Sequence, residues 1–161
     1  MSMNTVPERL AALRAAMAAN GVAVYLIPVG DPHASEYLPC HYTSLTWFSG
    51  FHGENSNFVV TRTESALWAD GRYFVQAEKE IAGTEIKLQR MGEPGVPTVE
   101  EYCANALNEG EALGLCGLTA STALVNGLKK ALEKKGSGML FCVGSLYLAG
   151  ELKAYLAKRN G

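Results

Sequence analysis

The chain has 161 residues, of which 48% are hydrophobic and 19% charged, and its formal net charge is -2. This composition is typical of one globular domain, and it lacks the basic excess of a nucleic-acid-binding protein. The apolar stretches are too short for a membrane helix, and the N-terminus lacks the basic start and apolar block of a secretory signal, so we expect a soluble cytoplasmic protein.

Four cysteines are spread along the chain without any Cys-x-x-Cys spacing. Such scattered thiols are typical of a protein kept in a reducing compartment, where cysteine behaves as a small apolar residue. We therefore predict free thiols rather than disulfides. The four positions are Cys40, Cys103, Cys116 and Cys142.

The first two elements are indicated by local signals. Thr5 and Glu8 form a Thr-x-x-Glu capping box around Pro7, which predicts a helix that ends near Gly21. The following run, VAVYLIP, consists of strand-forming residues with little alternation of polar and apolar positions. We predict a strand that is buried on both faces of a sheet.

Apolar periodicity and turn residues predict the rest of the chain. The predicted elements are a polar loop over 29–43, an ambiguous segment over 44–51, a hairpin formed by 57–61 and 65–70, a helix from about residue 72 to Gly83, a strand over 85–90, a helix from Thr98 with a capping box to Glu101, a strand over 111–117, a helix over 119–136 and a strand over 138–144.

This alternation of helices and strands predicts an α/β fold with a mixed β-sheet flanked by helices. We assign residues 1–145 to this domain. Residues 146–161 are predicted to form a closing helix or a linker toward further domains.

The segment LWADGRYFVQA places a cation in an unusual position. If Asp70 is the N-cap of the helix predicted here, Arg72 lies in its first turn. The helix dipole is positive there, which disfavours a cation by a few tenths of a kcal/mol. Arg72 therefore requires a compensating partner, either a carboxylate of the fold or a ligand.

Two polar segments follow predicted strands, at the positions where open α/β sheets form ligand clefts. The first holds Asp31, His33 and Glu36, and the second holds Asp70, Arg72 and Tyr73. Glu36 is the obvious internal partner for Arg72, and we favour such a structural ion pair. The alternative is that the two present opposite charges into a cleft that meets a peptide or a neighbouring domain.

Other chemistries lack the residue patterns that they need. The histidines His33, His41 and His52 cluster in sequence but do not have the spacing that presents ligands to one metal ion, and Cys40 lacks a third group that would orient His41. Neither a G-x-G-x-x-G nor a P-loop motif is present. We assign no catalytic residue and no metal ligand, and expect that this chain is not a complete enzyme.

Three stretches together resemble the N-terminal domain of Xaa-Pro aminopeptidase (aminopeptidase P) of the cytosolic three-domain type. They are YLIPVGDPHASEYLP, WFSGFHGENSNFVVT and ALWADGRYFVQAEKEI. The D-x-H-x-S-E-Y and D-G-R-Y-F-x-Q-A patterns are the specific part of this resemblance, which extends more loosely over nearly the whole chain. It implies the mixed sheet found in the N-terminal domains of creatinase and prolidase.

The resemblance also implies a function. Full-length relatives remove an N-terminal residue that precedes proline, using two divalent metal ions, usually manganese, held by Asp, Asp, His, Glu and Glu of a C-terminal domain. We expect that domain after residue 161, so this chain holds no cofactor itself. Its expected partners are the downstream domains and, in the full-length protein, short proline-containing peptides; the family also forms homodimers, mainly through the downstream part.

On this basis we expect a non-catalytic domain that shapes the substrate cleft and contacts other domains or subunits. The six polar residues Asp31, His33, Glu36, Asp70, Arg72 and Tyr73 are its candidate cleft or interface residues. One alternative is the same domain from a prolidase, a creatinase or an inactive relative that serves as an interaction module. Another, from a different class, is a self-contained module that binds a small molecule.

Overall fold

A computed structural model describes residues 5–136 and 139–142, the last four by their backbone alone. The elements are α1 (Val6–Ala19), β1 (Val22–Pro28), α2 (Ser44–Ser49), β2 (Asn57–Thr61), β3 (Ser65–Ala69), α3 (Phe74–Glu80), β4 (Ile86–Arg90), α4 (Val99–Asn105), β5 (Ala112–Leu115), α5 (Thr122–Lys135) and β6 (Met139–Cys142). A short 3-10 turn, Cys40–Tyr42, precedes α2.

The strands form one mixed sheet in the order β4-β3-β2-β1-β5-β6. Strand β2 is antiparallel to both of its neighbours, and the other adjacent pairs are parallel. Strands β1, β3, β4 and β5 consequently end at the same edge of the sheet, which we call the carboxyl edge. The predicted α/β fold with a mixed sheet flanked by helices is confirmed.

Helices cover both faces of this sheet, because side chains along each central strand alternate between two apolar clusters. One cluster joins the sheet to α4 and α5, and the other joins it to α1, α2 and α3. Strand β1 contributes Val24 and Leu26 to the first cluster and Ile27 to the second, so the prediction of a strand buried on both faces is confirmed.

Side-chain caps determine where three helices begin. Both predicted capping boxes are present, Thr5 with Glu8 at α1 and Thr98 with Glu101 at α4. At α5 the Ser121 hydroxyl accepts a hydrogen bond from an amide of the first turn. The ambiguous segment after residue 43 forms α2, which ends at a left-handed glycine, Gly50.

Helix α3 differs from the prediction. It begins at Phe74, its N-cap is Tyr73, and no side chain caps it. Arg72 therefore precedes the helix instead of occupying its first turn. The reason is local: the Asp70 carboxylate accepts from the Arg72 amide at 3.0 Å, and the Asp70 carbonyl accepts from the Tyr73 amide at 2.9 Å. These bonds close a turn that competes with helix initiation.

The boundary predicted at residue 145 and the closing helix or linker over 146–161 lie outside the described residues. Strand β6 falls within the predicted strand over 138–144. Among the helices of the described part, none is long and apolar enough to span a bilayer.

Two glycine substitutions are expected to have opposite effects on stability. A Cβ on Gly114 of β5 would lie 2.9 Å from the ring of Tyr25 on neighbouring β1, so Gly114→Ala should lower the free energy of unfolding by about 1–3 kcal/mol. On α5, a Cβ on Gly127 would meet the movable carboxylate of Glu100 at 3.0 Å. Gly127→Ala should therefore be neutral or stabilise by up to about 1 kcal/mol through helix propensity.

Urea denaturation of the two variants and the wild type measures both effects. Equal destabilisation by the two substitutions would contradict the close contact between β5 and β1.

Candidate functional site

A cleft of about 910 Å³ opens at the carboxyl edge of the sheet. This volume is in the range of sites for small molecules and peptide ends. Its walls come from the loop after β1 (29–38), the start of α2, the loop before β2 (52–55) and the connection from β5 to α5 (118–122). The cleft therefore forms where strands β1 and β5 diverge into separate loops, as is usual for parallel strands in α/β sheets.

Asp31 organises the loop after β1. Its Oδ1 atom accepts hydrogen bonds from the amides of His33 at 3.0 Å and Ser35 at 2.9 Å. The residue is 93% buried (7% exposed), and its other oxygen, Oδ2, has no hydrogen-bond donor among the described residues. The hydrogen bond from the Ser35 amide is the main cause of a pKa of Asp31 below its usual range, and the bond from the His33 amide adds to the effect. Asp31 is thus a buried, ionised carboxylate with one oxygen unsatisfied.

The loop before β2, residues 52–55, packs against the buried Phe51 of the core. Gly53 lies so close to the buried ring of Phe51 that a Cβ there would be 2.2 Å from a ring carbon. Asn55 has a left-handed backbone, with φ of 46°, and its amide group donates to Asp70 Oδ2 at 3.0 Å. The hydroxyl of Ser56 donates to the Gly53 carbonyl. These contacts join the cleft wall to the turn after β3.

That turn holds an ion pair between Asp70 and Arg72. The Arg72 guanidinium donates to both carboxylate oxygens of Asp70, with a shortest distance of 2.7 Å, and lies over the ring of Tyr73. Arg72 is the main cause, and Asn55 the second, of a pKa of Asp70 far below its usual range. The Tyr73 hydroxyl lies 3.5 Å from Glu54 at the cleft wall.

The predicted ion pair between Glu36 and Arg72 is therefore wrong. Glu36 lines the cleft, whereas Arg72 binds the carboxylate two positions before it. Pairing within one turn orders little additional chain, so it is favoured over a contact that must hold two loops together. The compensating carboxylate expected for Arg72 exists, but it belongs to Asp70, the residue predicted to be the helix cap.

The structure separates the six predicted residues into two groups. Asp31 and Glu36 line the cleft, and His33 is an exposed neighbour that contributes its backbone amide to Asp31. The remaining three, Asp70, Arg72 and Tyr73, lie behind loop 52–55 and contact it through Asn55 and Glu54.

Sequence reasoning missed the two residues that connect the groups, Glu54 and Asn55. The Glu-Asn-Ser run was a usable signal, because asparagine tolerates the left-handed conformation better than most residues. It also missed Leu118, a cleft residue that is 51% exposed. Its position directly after a predicted strand could have indicated it.

Metal-binding and thiol chemistry lack support in the described residues. Within 5–136 and 139–142, no three His, Cys, Asp or Glu side chains converge as metal ligands. The thiols of Cys40, Cys103 and Cys116 are free. Burial raises the pKa of Cys103 far above its usual range, which makes it a core residue rather than a nucleophile.

Comparison with known families gives a match over most of the chain. Residues 9–139 match the model of the Creatinase/Prolidase N-terminal domain. The chain belongs to this family. Among curated relatives of the domain, Aminopeptidase P2 of Arabidopsis thaliana is 38% identical over 138 residues, which are 84% of this chain and 19% of that protein. A probable Xaa-Pro aminopeptidase P of Pyricularia oryzae is 35% identical over 89% of this chain and 23% of its own length.

Solved structures agree with this creatinase/prolidase N-terminal fold. The X-prolyl aminopeptidase of Caenorhabditis elegans, described as a cytosolic enzyme with a di-nuclear active site, has a TM-score of 0.76 and 31% identity, over 86% of this chain and 24% of that one. The N-terminal domain of the peptidase PepQ from Mycobacterium tuberculosis has a TM-score of 0.58 and 26% identity, over 83% and 92%. This chain thus spans about a fifth to a quarter of the curated relatives named here and of the nematode enzyme.

The ion pair in the turn after β3 predicts a specific pH dependence. The pKa of Asp70 is lower in the folded protein than in the unfolded chain. The ion pair therefore stabilises the fold fully above the pKa of the unfolded chain, and this stabilisation is lost as the pH falls through the pKa of the folded protein. Arg72→Gln should raise that pKa strongly, and Asn55→Ala should raise it less. Carbon-detected NMR titration of the Asp70 carboxyl group measures both. An unchanged pKa in Arg72→Gln would contradict the assigned partner.

Proposed function

We propose that this chain is the non-catalytic N-terminal domain of a metal-dependent Xaa-Pro aminopeptidase, an enzyme that removes the residue preceding proline. The observation that carries the proposal is the 35–38% identity to aminopeptidase P proteins over more than four-fifths of the chain. The structural similarity to the C. elegans aminopeptidase supports the same parent.

The proposed role of the domain is to form one wall of the peptide-binding region and to contact the downstream domains. The carboxyl edge supports this role, because it collects Asp31 and Glu36 in an open cleft and the Asp70–Arg72 pair beside it. Exposed charges at such an edge can orient a short peptide or position a neighbouring domain without taking part in bond cleavage.

The cleavage chemistry is assigned to residues beyond this chain. Two divalent metal ions, which we expect to be manganese, would activate water and stabilise the developing oxyanion in a C-terminal domain. The described residues of this chain do not fit such ions, since no metal-binding group of three side chains exists among them. We propose the cytoplasm as the location, in keeping with the free thiols described here and with the cytosolic C. elegans enzyme.

One test of this proposal uses the isolated chain. Residues 1–161 should show no hydrolysis of Xaa-Pro peptides and no tight binding of Mn²⁺, because the ligands are expected downstream. A proline-release assay and calorimetry with MnCl₂ measure these properties. Measurable turnover by the purified chain would refute the proposal, as would an open reading frame whose downstream part lacks the five metal ligands.

Another test of this proposal uses the full-length enzyme. Glu36→Ala and Arg72→Ala should each raise KM for a proline-containing peptide by up to about fivefold and leave kcat nearly unchanged, as expected for exposed charges. Glu109→Ala provides a matched control, because Glu109 is exposed and lies outside the cleft. Unchanged KM together with unchanged resistance of the domain junction to proteolysis would contradict the proposed role.

A further inference from the structure

Three carboxylates give the cleft at the carboxyl edge a negative charge. Asp31, Glu36 and Glu54 line it, and no Lys or Arg side chain of the described residues does. His52 is the one basic group in the lining, and its ring pairs with Glu80 at 3.3 Å. The N-terminal turn of α5 adds a partial positive charge, but about half a unit charge does not balance three carboxylates.

The Oδ2 atom of Asp31, which is buried and has no donor among the described residues, indicates a ligand site. A buried ionised oxygen without a donor is costly, so native proteins rarely retain one unless something outside the fold satisfies it. Oδ1 already accepts two amide hydrogen bonds, so the carboxylate is fixed in orientation. A charged donor suits it best, because hydrogen bonds between ions are the stronger kind.

The loop that carries Asp31 lies at the surface and contributes little to the apolar core. Residues 32–37 are all exposed, so an outward shift of this segment would uncover little apolar core. Ala34 has a φ of 52°, a left-handed conformation that alanine rarely adopts because its Cβ comes close to the backbone carbonyl. Such strained residues are typical of segments that bind ligands or switch conformation.

Two exposed apolar side chains at the cleft can contact the apolar part of a cationic ligand. Tyr37 is 81% exposed and Leu118 is 51% exposed. An aromatic face attracts a guanidinium or ammonium group, and an aliphatic stem can lie along a leucine while its charged end reaches further. A metal ion would not use these surfaces, and no three metal-binding side chains converge within the described residues.

We propose that this cleft binds an organic cation, a guanidinium or primary ammonium group, and that Asp31 Oδ2 is its principal acceptor. The cation can come from a basic side chain or from the N-terminal ammonium of a peptide. This inference concerns the chain itself and does not require the parent protein to be an aminopeptidase.

The test uses NMR titration of the 161-residue chain with three probes. N-acetyl-arginine amide carries only the side-chain cation, alanine amide carries only the terminal ammonium, and N-acetyl-citrulline amide is the neutral counterpart of the first. We expect saturable shifts of the His33 and Ser35 amides with one or both cationic probes and none with the citrulline compound. The cationic probe that binds identifies the source.

Asp31→Asn is the decisive variant, since its amide oxygen can retain both loop hydrogen bonds while its nitrogen replaces Oδ2. It should weaken binding of the cationic probe about tenfold or more. Glu109→Gln removes the same charge outside the cleft and should leave binding unchanged. If Asp31→Asn disturbs the fold, Glu36→Gln at the exposed rim serves in its place, with an expected two- to threefold weakening.

Three results would overturn the proposal. They are the absence of saturable binding by either cationic probe, equal binding of the citrulline compound, and an affinity that is lowered no more by the cleft variants than by Glu109→Gln. None of these results bears on the identity to aminopeptidase P proteins or on metal ligands downstream, so the proposed parent enzyme and the proposed cation site fail independently.

Discussion

Strand β1 lies between an antiparallel neighbour, β2, and a parallel neighbour, β5, and its side chains are buried between two layers of helices. Its antiparallel pairing with β2 and its parallel pairing with β5, together with the antiparallel pairing of β2 and β3, bring the loops after β1, β3 and β5 to one edge. Because a shift of β1 by one residue would move its apolar side chains to the wrong layers, the register is strongly constrained. The position of the cleft follows from this constraint.

The carboxyl edge holds two carboxylates in different environments: Asp70 is fully paired, whereas one oxygen of Asp31 has no donor among the described residues. Asp70 has its guanidinium partner within the same turn and an amide from loop 52–55. Asp31 accepts backbone hydrogen bonds on one oxygen, and no described residue donates to the other. The pairing of Asp70 stabilises the fold locally, whereas the second oxygen of Asp31 can still accept a hydrogen bond from a ligand.

Much of the fold could be predicted from local sequence signals. The two capping boxes, the doubly buried β1 and the hairpin of β2 and β3 each depend on residues within a few positions of one another. The start of α3 could not be predicted in the same way, because the Asp70 carboxylate serves either as a helix cap or as the partner of Arg72. Only the folded geometry shows that it is the partner of Arg72.

The site was less predictable, because it depends on which strands are neighbours. The sequence indicated that polar loops after strands would meet, and Asp31 and Glu36 do line one cleft. It could not indicate that β5 lies beside β1, which brings residues 118–122 to the opposite wall. Nor could it show that Asn55 and Glu54 of loop 52–55 contact the turn that holds Arg72, since these contacts join residues 15 to 19 positions apart.

The contact between Gly53 and Phe51 gives the two sides of the cleft unequal stiffness. The side built on loop 52–55 lies against a fully buried aromatic ring, while the opposite side, at residues 32–37, is exposed and is held by hydrogen bonds from its amides to Asp31. A molecule entering between them meets a surface supported by the core on one side and an exposed loop on the other. Its affinity would then depend on conformational entropy in a single short segment, so substitutions there would tune binding without altering the contacts that the rigid side provides.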